Sequence, residues 1–511
     1  MRFKNEPPSL FSDPAARETL QRAIRDAHAA SGATYPMIID GEKVISRRTI
    51  RSVNPSDPSE SVGLACAAGP TQADRAMESA SRAFESWSRE SQDDRALLLQ
   101  RIAHRLRSRK PEFTAWLILE VGKSWAEADA DVAEAIDFLE YYAEQSLLPP
   151  SALTPVASEK NRYRYWPLGP TVVIPPWNFP LAILVGMTAA AIVTGNTVIL
   201  KPSSQSPIIA AHFVRLAEEA GLPAGVINGV PGAGAQIGDR LVSDPRVRMV
   251  AFTGSRAVGL RINALAGRTP PGQRWIKRVI AEMGGKNAII VDDTADLDAA
   301  AQGVMASAFG FQGQKCSACS RAFIHRKVYD DFVERLLAKV DAIRIGAAED
   351  LDNFMGPVIS AAAKKSIERY IALGKREGRL LNAANHPDGN GYFVPPAVFD
   401  RLPDGSKLWS DEIFGPVLAL APVDSFGQAI VAANRSDYGL TGSVYSRDES
   451  RLRRAEERFF CGNLYFNRKS TGALVGGHPF GGFNMSGTDS KAGGPDYLML
   501  FRQAQCVSQH Y

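Results

Sequence analysis

The run from Thr171 to Leu200 contains no charged residue. A stretch of that length either crosses a bilayer or lies at the centre of a large core. Pro175, Pro176 and Pro180 break its start, Asn178 and Asn196 are strongly polar, and Ala189 to Ala191 are small. The run therefore reads as a buried strand, a turn and a buried helix, not as a membrane span. The chain has 511 residues, more than one hydrophobic core can serve, so two or three domains are expected.

Composition narrows the class of partner. Hydrophobic residues make up 45% and charged residues 22%, close to the average for globular proteins, and the formal net charge is only +4. The Arg451-Leu452-Arg453-Arg454 run lies beside Glu456 and Glu457 and reads as a solvated helix face, so no nucleic acid or membrane partner is expected. Five cysteines (Cys66, Cys316, Cys319, Cys461 and Cys506) are too sparse for a disulfide framework and fit a reducing compartment. The N-terminal residues have no apolar signal core and carry Glu6, Asp13 and Glu18, which makes the cytoplasm the expected location.

Residues 71–150 are helical in pattern. Thr71 is a candidate N-cap, Asp93-Asp94 opens a second helix, and a third runs from Trp125 to about Ala143. In 151–166, Tyr163, Tyr165 and Trp166 alternate with Arg162 and Arg164 and read as an exposed strand. Strands are expected at Thr171 to Ile174, Thr197 to Leu200, Val226 to Gly229, Met249 to Thr253 and Val279 to Glu282. Helices are expected between them, near 181–194, 206–220, 234–243 and 257–266. The alternation resumes with a strand at Ala288 to Val291, a helix over 297–310, a strand at Ala322 to Ile324 and a helix over 327–341. Two consecutive alternating units imply an α/β chain of two lobes with parallel, doubly wound sheets.

Three local patterns can carry chemistry. Gln314-Lys315-Cys316-Ser317-Ala318-Cys319 follows Gly310 and Gly313, giving a thiol a neighbouring cation and a flexible approach. The Cys316-x-x-Cys319 pair lacks the second pair that a four-ligand zinc site needs, so no metal is expected. Taken alone, the two thiols serve equally well as buried structural cysteines. Phe252-Thr253-Gly254-Ser255, with Gly259, ends a strand and opens a helix where a phosphate can approach, although it is not the GxGxxG fingerprint. Glu282-Met283-Gly284-Gly285-Lys286 places a carboxylate at a strand end, either a general base or a turn residue.

Together with Pro176-Trp177-Asn178-Phe179-Pro180, Lys201-Pro202-Ser203-Ser204 and Glu412-Ile413-Phe414-Gly415-Pro416, these patterns resemble the aldehyde dehydrogenase superfamily over nearly the whole chain. The resemblance implies that Cys316 is the nucleophile, Glu282 the general base and Asn178 the oxyanion-hole amide. It implies an NAD cofactor, with NADP left open, held by Pro176, Trp177, Lys201, Ser204, Phe252, Gly254, Ser255, Gly259, Glu412 and Phe414, with Asn196 near the adenosine ribose. Many NAD-preferring relatives carry a glutamate where Ser204 stands, and a carboxylate there would repel the 2′-phosphate of NADP.

The C-terminal run Ser470-Thr471-Gly472-Ala473, with Pro479-Phe480-Gly481-Gly482 and the acidic helix from Glu127 to Tyr142, resembles the 1-pyrroline-5-carboxylate dehydrogenase branch. That branch oxidises L-glutamate γ-semialdehyde, and 511 residues leave no room for a fused second enzyme. By this resemblance Ser317, Gly472 and Ala473 take the substrate α-carboxylate, Phe179 and Phe480 flank its chain, and Lys315 and Glu140 complete the substrate site. Lys315 is also expected to keep the Cys316 sulfur ionised. His478 and Asn484 depart from the branch pattern, which keeps open a dehydrogenase for another small aldehyde. A catalytically inactive binding relative is the alternative of a different class.

The implied fold is the aldehyde dehydrogenase fold, with a Rossmann-like cofactor domain at 1–150 and 167–283 and an α/β catalytic domain at 284–487. A β-flap for oligomerisation, 151–166 with 488–511, would serve a homodimer, possible source of a larger homo-oligomer.

Overall fold

Short apolar strands separated by helices build two seven-stranded sheets in the computed structural model of the protein, which describes residues 3–150, 152–383 and 389–511. The expected domain ranges also contain Met1, Arg2, Ser151 and residues 384–388, which lie outside the described residues. In the first sheet the spatial order is Arg278–Glu282, Met249–Thr253, Thr171–Ile174, Val198–Leu200, Ile227–Gly229, Met37–Ile39, Glu42–Val44. The first five of these strands are mutually parallel, Met37–Ile39 pairs antiparallel with Ile227–Gly229, and Glu42–Val44 pairs antiparallel with Met37–Ile39.

From the central strand Thr171–Ile174 the chain moves outward to one side, then returns to build the other side. The strand order therefore reverses beside Met249–Thr253, and ligands bind at the carboxyl ends of strands at such a switch point. The helix after the central strand, Ala182–Val193, has every residue but Ile183 buried. The charge-free run is thus the floor of the first lobe, and no helix among the described residues is long and apolar enough to cross a membrane.

The second sheet has the order Arg379–Leu380, Ala397–Asp400, Val417–Val423, Cys319–His325, Asn287–Val291, Thr441–Tyr445, Asn463–Phe466. Only the Arg379–Leu380 edge pairs antiparallel. The first sheet ends at Glu282 and the second begins at Asn287, so Met283 to Lys286 is the link between them.

Several elements depart from the sequence expectation. The helix expected at Thr71 is capped by Gly69 and begins at Pro70, because proline is pre-set for the first helical turn. The helix expected over 234–243 opens as a π-turn, Gly234–Gly238, before Asp239–Ser243. Helix Lys110–Val121 falls inside the stretch expected to be helical, but the sequence sets no bounds for it: nearly all of it is buried, so its apolar residues show no period.

The exposed strand Glu159–Pro167 pairs with Arg502–His510 over nine residues in register. Residues 488–501, expected in the flap, pack elsewhere. Thr488 bonds Ala281, Ser490 bonds Glu282, and Tyr497 stacks on Tyr142 in the core at 5.5 Å.

Candidate active site

The loop that carries Cys316 is built from strained backbone. Phe311, Gln312 and Gly313 all have positive φ (50°, 56° and 67°). A Cβ on Gly313 would lie 2.4 Å from the Gly415 carbonyl oxygen, so only glycine fits there. Two fully buried amides hold the loop in this shape. Gln312 donates to the carbonyls of Gly122 (3.2 Å) and Pro357 (2.7 Å), and Gln314 accepts from the Ile359 N–H (2.9 Å). From the far side Asn287 donates to the Cys316 carbonyl (2.7 Å) and the Ala318 carbonyl (2.9 Å). Such strain persists only where its surroundings over-determine it, and here it projects one thiol into the space between the sheets. Cys316 is half-buried, whereas Cys319 starts a strand and is buried, its thiol on the Arg321 carbonyl.

Three groups converge on this space. Asn178 donates through Nδ2 to the Gln314 carbonyl (3.0 Å), which fixes the amide and leaves its second N–H free to donate. Glu282 accepts from the Ser490 hydroxyl at 2.6 Å, while its other carboxylate oxygen is buried without a partner among the described residues. Burial pushes the Glu282 carboxyl up to about 7, against the opposing Ser490 hydrogen bonds. Glu412 accepts the Gly285 N–H at 3.0 Å, and burial raises it to about 7 as well. Burial, then the charges of Glu412 and Glu282, push the Cys316 thiol up to about 12, and the N–H groups of Ser317 and Cys316 pull it down.

Lys315 does not do what was expected of it. Its ammonium is 2.6 Å from Glu127, so a carboxylate compensates its charge before the thiol can feel it. Glu140 is also displaced from its expected place, because its carboxylate faces outward to Arg107 at 3.2 Å. The acids that helix Trp125–Ser146 turns toward Lys123 are Glu127, Asp131 and Glu134, at the i, i+4, i+7 spacing of one helix face. Asp131 pairs with fully buried Lys123 at 3.1 Å, and the Lys123 ammonium lies over the rings of Phe179 (3.9 Å) and Phe311 (4.5 Å). Burial, then the charge of Asp131, pushes Glu134 up to about 8, and it makes no hydrogen bond among the described residues. That helical spacing was the available signal for Glu134.

The loop Ser470 to Gly476 reaches the residue beside Cys316, since the Ser470 hydroxyl donates to the Ser317 carbonyl at 3.2 Å. Gly472 has φ of +77°, and Arg468 donates to the carbonyls of Thr471 (3.0 Å) and Gly472 (2.9 Å). His478 accepts the Leu474 N–H at 3.2 Å, so it braces this loop. Asn484 is exposed on a separate turn paired with Tyr438. Phe179, Phe480 and Ala473 are half-exposed, and neither phenylalanine is a core residue.

At the carboxyl end of the first sheet Pro176 is buried and Trp177 meets Phe414 edge-on at 5.6 Å. Gly254 donates its N–H to the Glu282 carbonyl (3.0 Å), and Gly259 packs so tightly that an added Cβ would lie 2.6 Å from Met283 Sδ. Phe252 is buried beneath that turn. Ser255 precedes helix Arg256–Ala266, whose first turn carries no side-chain cap and no acidic residue. Lys201 is buried with only the Pro202 carbonyl, among the described residues, near its amine (3.3 Å), and burial lowers its pKa to about 8. The Ser204 hydroxyl approaches the Gly232 carbonyl at 3.5 Å. Asn196, expected near a ribose, is instead spent on structure: its amide binds Gly169, Thr194 and the Phe501 carbonyl.

A sequence model described as the aldehyde dehydrogenase family matches residues 43–507. The chain is 52% identical to the 1-pyrroline-5-carboxylate dehydrogenase of Geobacillus thermodenitrificans, covering 100% of this chain and 99% of that protein. It is 49% identical to 1-pyrroline-5-carboxylate dehydrogenase 2 of Bacillus subtilis, with the same coverage. A solved structure of 1-pyrroline-5-carboxylate dehydrogenase from Thermus with bound NAD superposes with a TM-score of 0.98 at 46% identity, covering 100% of this chain and 99% of that one.

Proposed function

The chain belongs to the aldehyde dehydrogenase family, and from that premise we propose that it oxidises L-glutamate γ-semialdehyde, the open form of 1-pyrroline-5-carboxylate, to L-glutamate with NAD(P)+. The observation that carries the reading is the bond from Ser470 to the Ser317 carbonyl, which ties the Thr471 to Ala473 loop to the residue beside the thiol. Main-chain N–H groups there suit an α-carboxylate, and the half-buried acid Glu134, in its ionised form, suits an ammonium group. Lys315, held by Glu127, lines the same end.

The groups at the first sheet fit a nicotinamide dinucleotide. Lys201 keeps a buried amine without a carboxylate partner among the described residues, suited to ribose hydroxyls. The open first turn at Ser255, flanked by Gly254 and Gly259, suits a pyrophosphate. Glu412 on the Gly284-Gly285 backbone suits the second ribose, with Trp177 and Phe414 beside it. Ser204 places no carboxylate where a 2′-phosphate would go, so both cofactors belong in the assay.

The Cys316 sulfur attacks the aldehyde carbon while its proton passes to Glu282. Protonating Glu282 also removes one of the two charges that hold the thiol up. The free N–H of Asn178 and the Cys316 N–H receive the oxyanion, and losing one such donor typically costs about 3–4 kcal/mol of barrier. A bound nicotinamide would supply the hydride acceptor, and loss of hydride from the carbon leaves a thioester on Cys316. Glu282 releases that first proton to solvent, then takes a proton from the water whose oxygen attacks the thioester carbon and passes it to the departing Cys316 sulfur, so the acid leaves as the thiol is restored.

We assign the cofactor lobe to 1–150 and 167–283 and the catalytic lobe to 284–487, in a cytoplasmic homodimer joined through the Glu159–Pro167 and Arg502–His510 ribbon. The test is reduced-cofactor formation with pyrroline-5-carboxylate against simple aliphatic aldehydes, using NAD and NADP, with Cys316→Ala as control. A wide preference in kcat/KM for the pyrroline compound is expected, and a preference for simple aldehydes would overturn the substrate assignment.

A further inference from the structure

The first described residues form a strap across the substrate end of the molecule. Phe3 packs edge-on against Tyr141 at 5.1 Å, and its N–H donates to Glu144 at 2.5 Å. The Glu6 N–H donates to Asp137 at 2.6 Å, and the Glu6 carboxylate meets Arg107 at 2.8 Å. Ser9 donates to Asp129 at 2.8 Å, and Lys110 joins the Pro7 carbonyl and Asp129, each at 3.0 Å. Most of these partners belong to one helix, Trp125–Ser146.

One strap residue also reaches the loop that follows Ser470. Asn5 donates through Nδ2 both to Asp137 (2.8 Å) and to the carbonyl of Val475 (3.0 Å). Asp137 lies one turn beyond Glu134 on the same helix, and Val475 follows Ala473 by two residues. The Phe3 ring supports the same junction. An added Cβ on Gly476, whose φ is +75°, would lie 3.1 Å from both Phe3 and Tyr141. The loop is braced on its other sides by Arg468, by His478 and by the Gly493 carbonyl, which accepts the Gly476 N–H at 2.8 Å.

We infer that Asn5 is a positioning residue for substrate specificity: it clamps the Thr471 to Ala473 loop to the acidic helix Trp125–Ser146 and sets the spacing between the carboxylate-binding and ammonium-binding ends of the site. An amino-acid head group needs both ends at a fixed separation, whereas an aldehyde without a head group needs neither. This inference rests on the substrate reading above.

The experiment compares wild type, Asn5→Ala and the isosteric Asn5→Asp with pyrroline-5-carboxylate and with a simple aliphatic aldehyde. Both variants lose both hydrogen bonds and are expected to raise KM for the pyrroline compound by about tenfold to a hundredfold, with kcat within about twofold. Kinetics with the simple aldehyde should stay unchanged, which a general loosening of the fold would not allow. Asn5→Ser, which keeps one donor, should fall between. Glu6→Ala, which breaks only the Arg107 tie, should leave KM as it is. If wild type prefers the pyrroline compound but the Asn5 variants keep its KM, or raise KM for both aldehydes alike, the strap inference fails alone. If wild type shows no such preference, the substrate reading fails and takes the strap inference with it.

Discussion

A carboxyl group that burial lifts to about 7 is half ionised at neutral pH, and Glu282 is such a group. In the proposed mechanism Glu282 is the base for thioester hydrolysis and must be ionised, so kcat should rise as pH passes upward through about 7. The Ser490 hydroxyl stabilises the charged form and lowers this value, so Ser490→Ala should move the inflection to higher pH. Glu282→Gln should lower turnover by about 10²–10⁴-fold and let acyl-enzyme accumulate, visible by mass spectrometry of the intact chain after mixing with substrate and cofactor. An unchanged pH profile in Ser490→Ala would separate Glu282 from the observed inflection.

At the scale of elements, one buried carboxylate joins three of them. Glu120, near the end of helix Lys110–Val121, accepts the N–H groups of Ile208 and Ile209 (both 2.8 Å) and the Ser52 hydroxyl (2.9 Å). Ile208 and Ile209 lie in the first turn of helix Pro207–Glu219, whose orphan donors need a partner. Burial pushes Glu120 up to about 7, against those hydrogen bonds. Glu120→Ala should cost about 3 kcal/mol by leaving buried donors unmade, read as a lower midpoint in urea at unchanged slope. Glu120→Gln should recover much of the loss, because its carbonyl still accepts. The helix that carries Glu120 also shows why the sequence set no helix bounds there: burial on every side erases the period that marks an amphipathic helix.

Across the whole molecule, His28 ties distant segments. Its ring nitrogens meet Glu60 at 2.5 Å and Glu349 at 2.7 Å, and Asn54 donates to both carboxylates. Burial opposes the charged ring, but the hydrogen bonds and charges of Glu349 and Glu60 outweigh it and raise the pKa above its ordinary 6.5. A raised histidine contributes stability that is fully present below about 6.5 and is lost as pH climbs through the folded-state value. The stability gap between wild type and His28→Gln, measured by thermal melts, should therefore narrow as pH rises from about 6.5, and a gap independent of pH would rule this tie out.

Sequence alone determined what local chemistry dictates. The charge-free run could only be a core, and its prolines placed a strand, a turn and a helix within it. Strand ends were legible where glycine or proline punctuates the chain, as at Met249–Thr253, and the motifs singled out Cys316, Glu282 and Asn178. Tertiary structure decided the rest, because charge and hydrogen-bond partners are shared between residues far apart in the chain. Lys315 stands next to Cys316 in sequence, yet its charge is taken up by Glu127, 188 residues away. Asn5 reaches Val475 across 470 residues, and no periodicity or motif encodes such a contact. The inward choice of Glu134 over Glu140 depends on how one helix is turned against the nucleophile loop, which only packing sets.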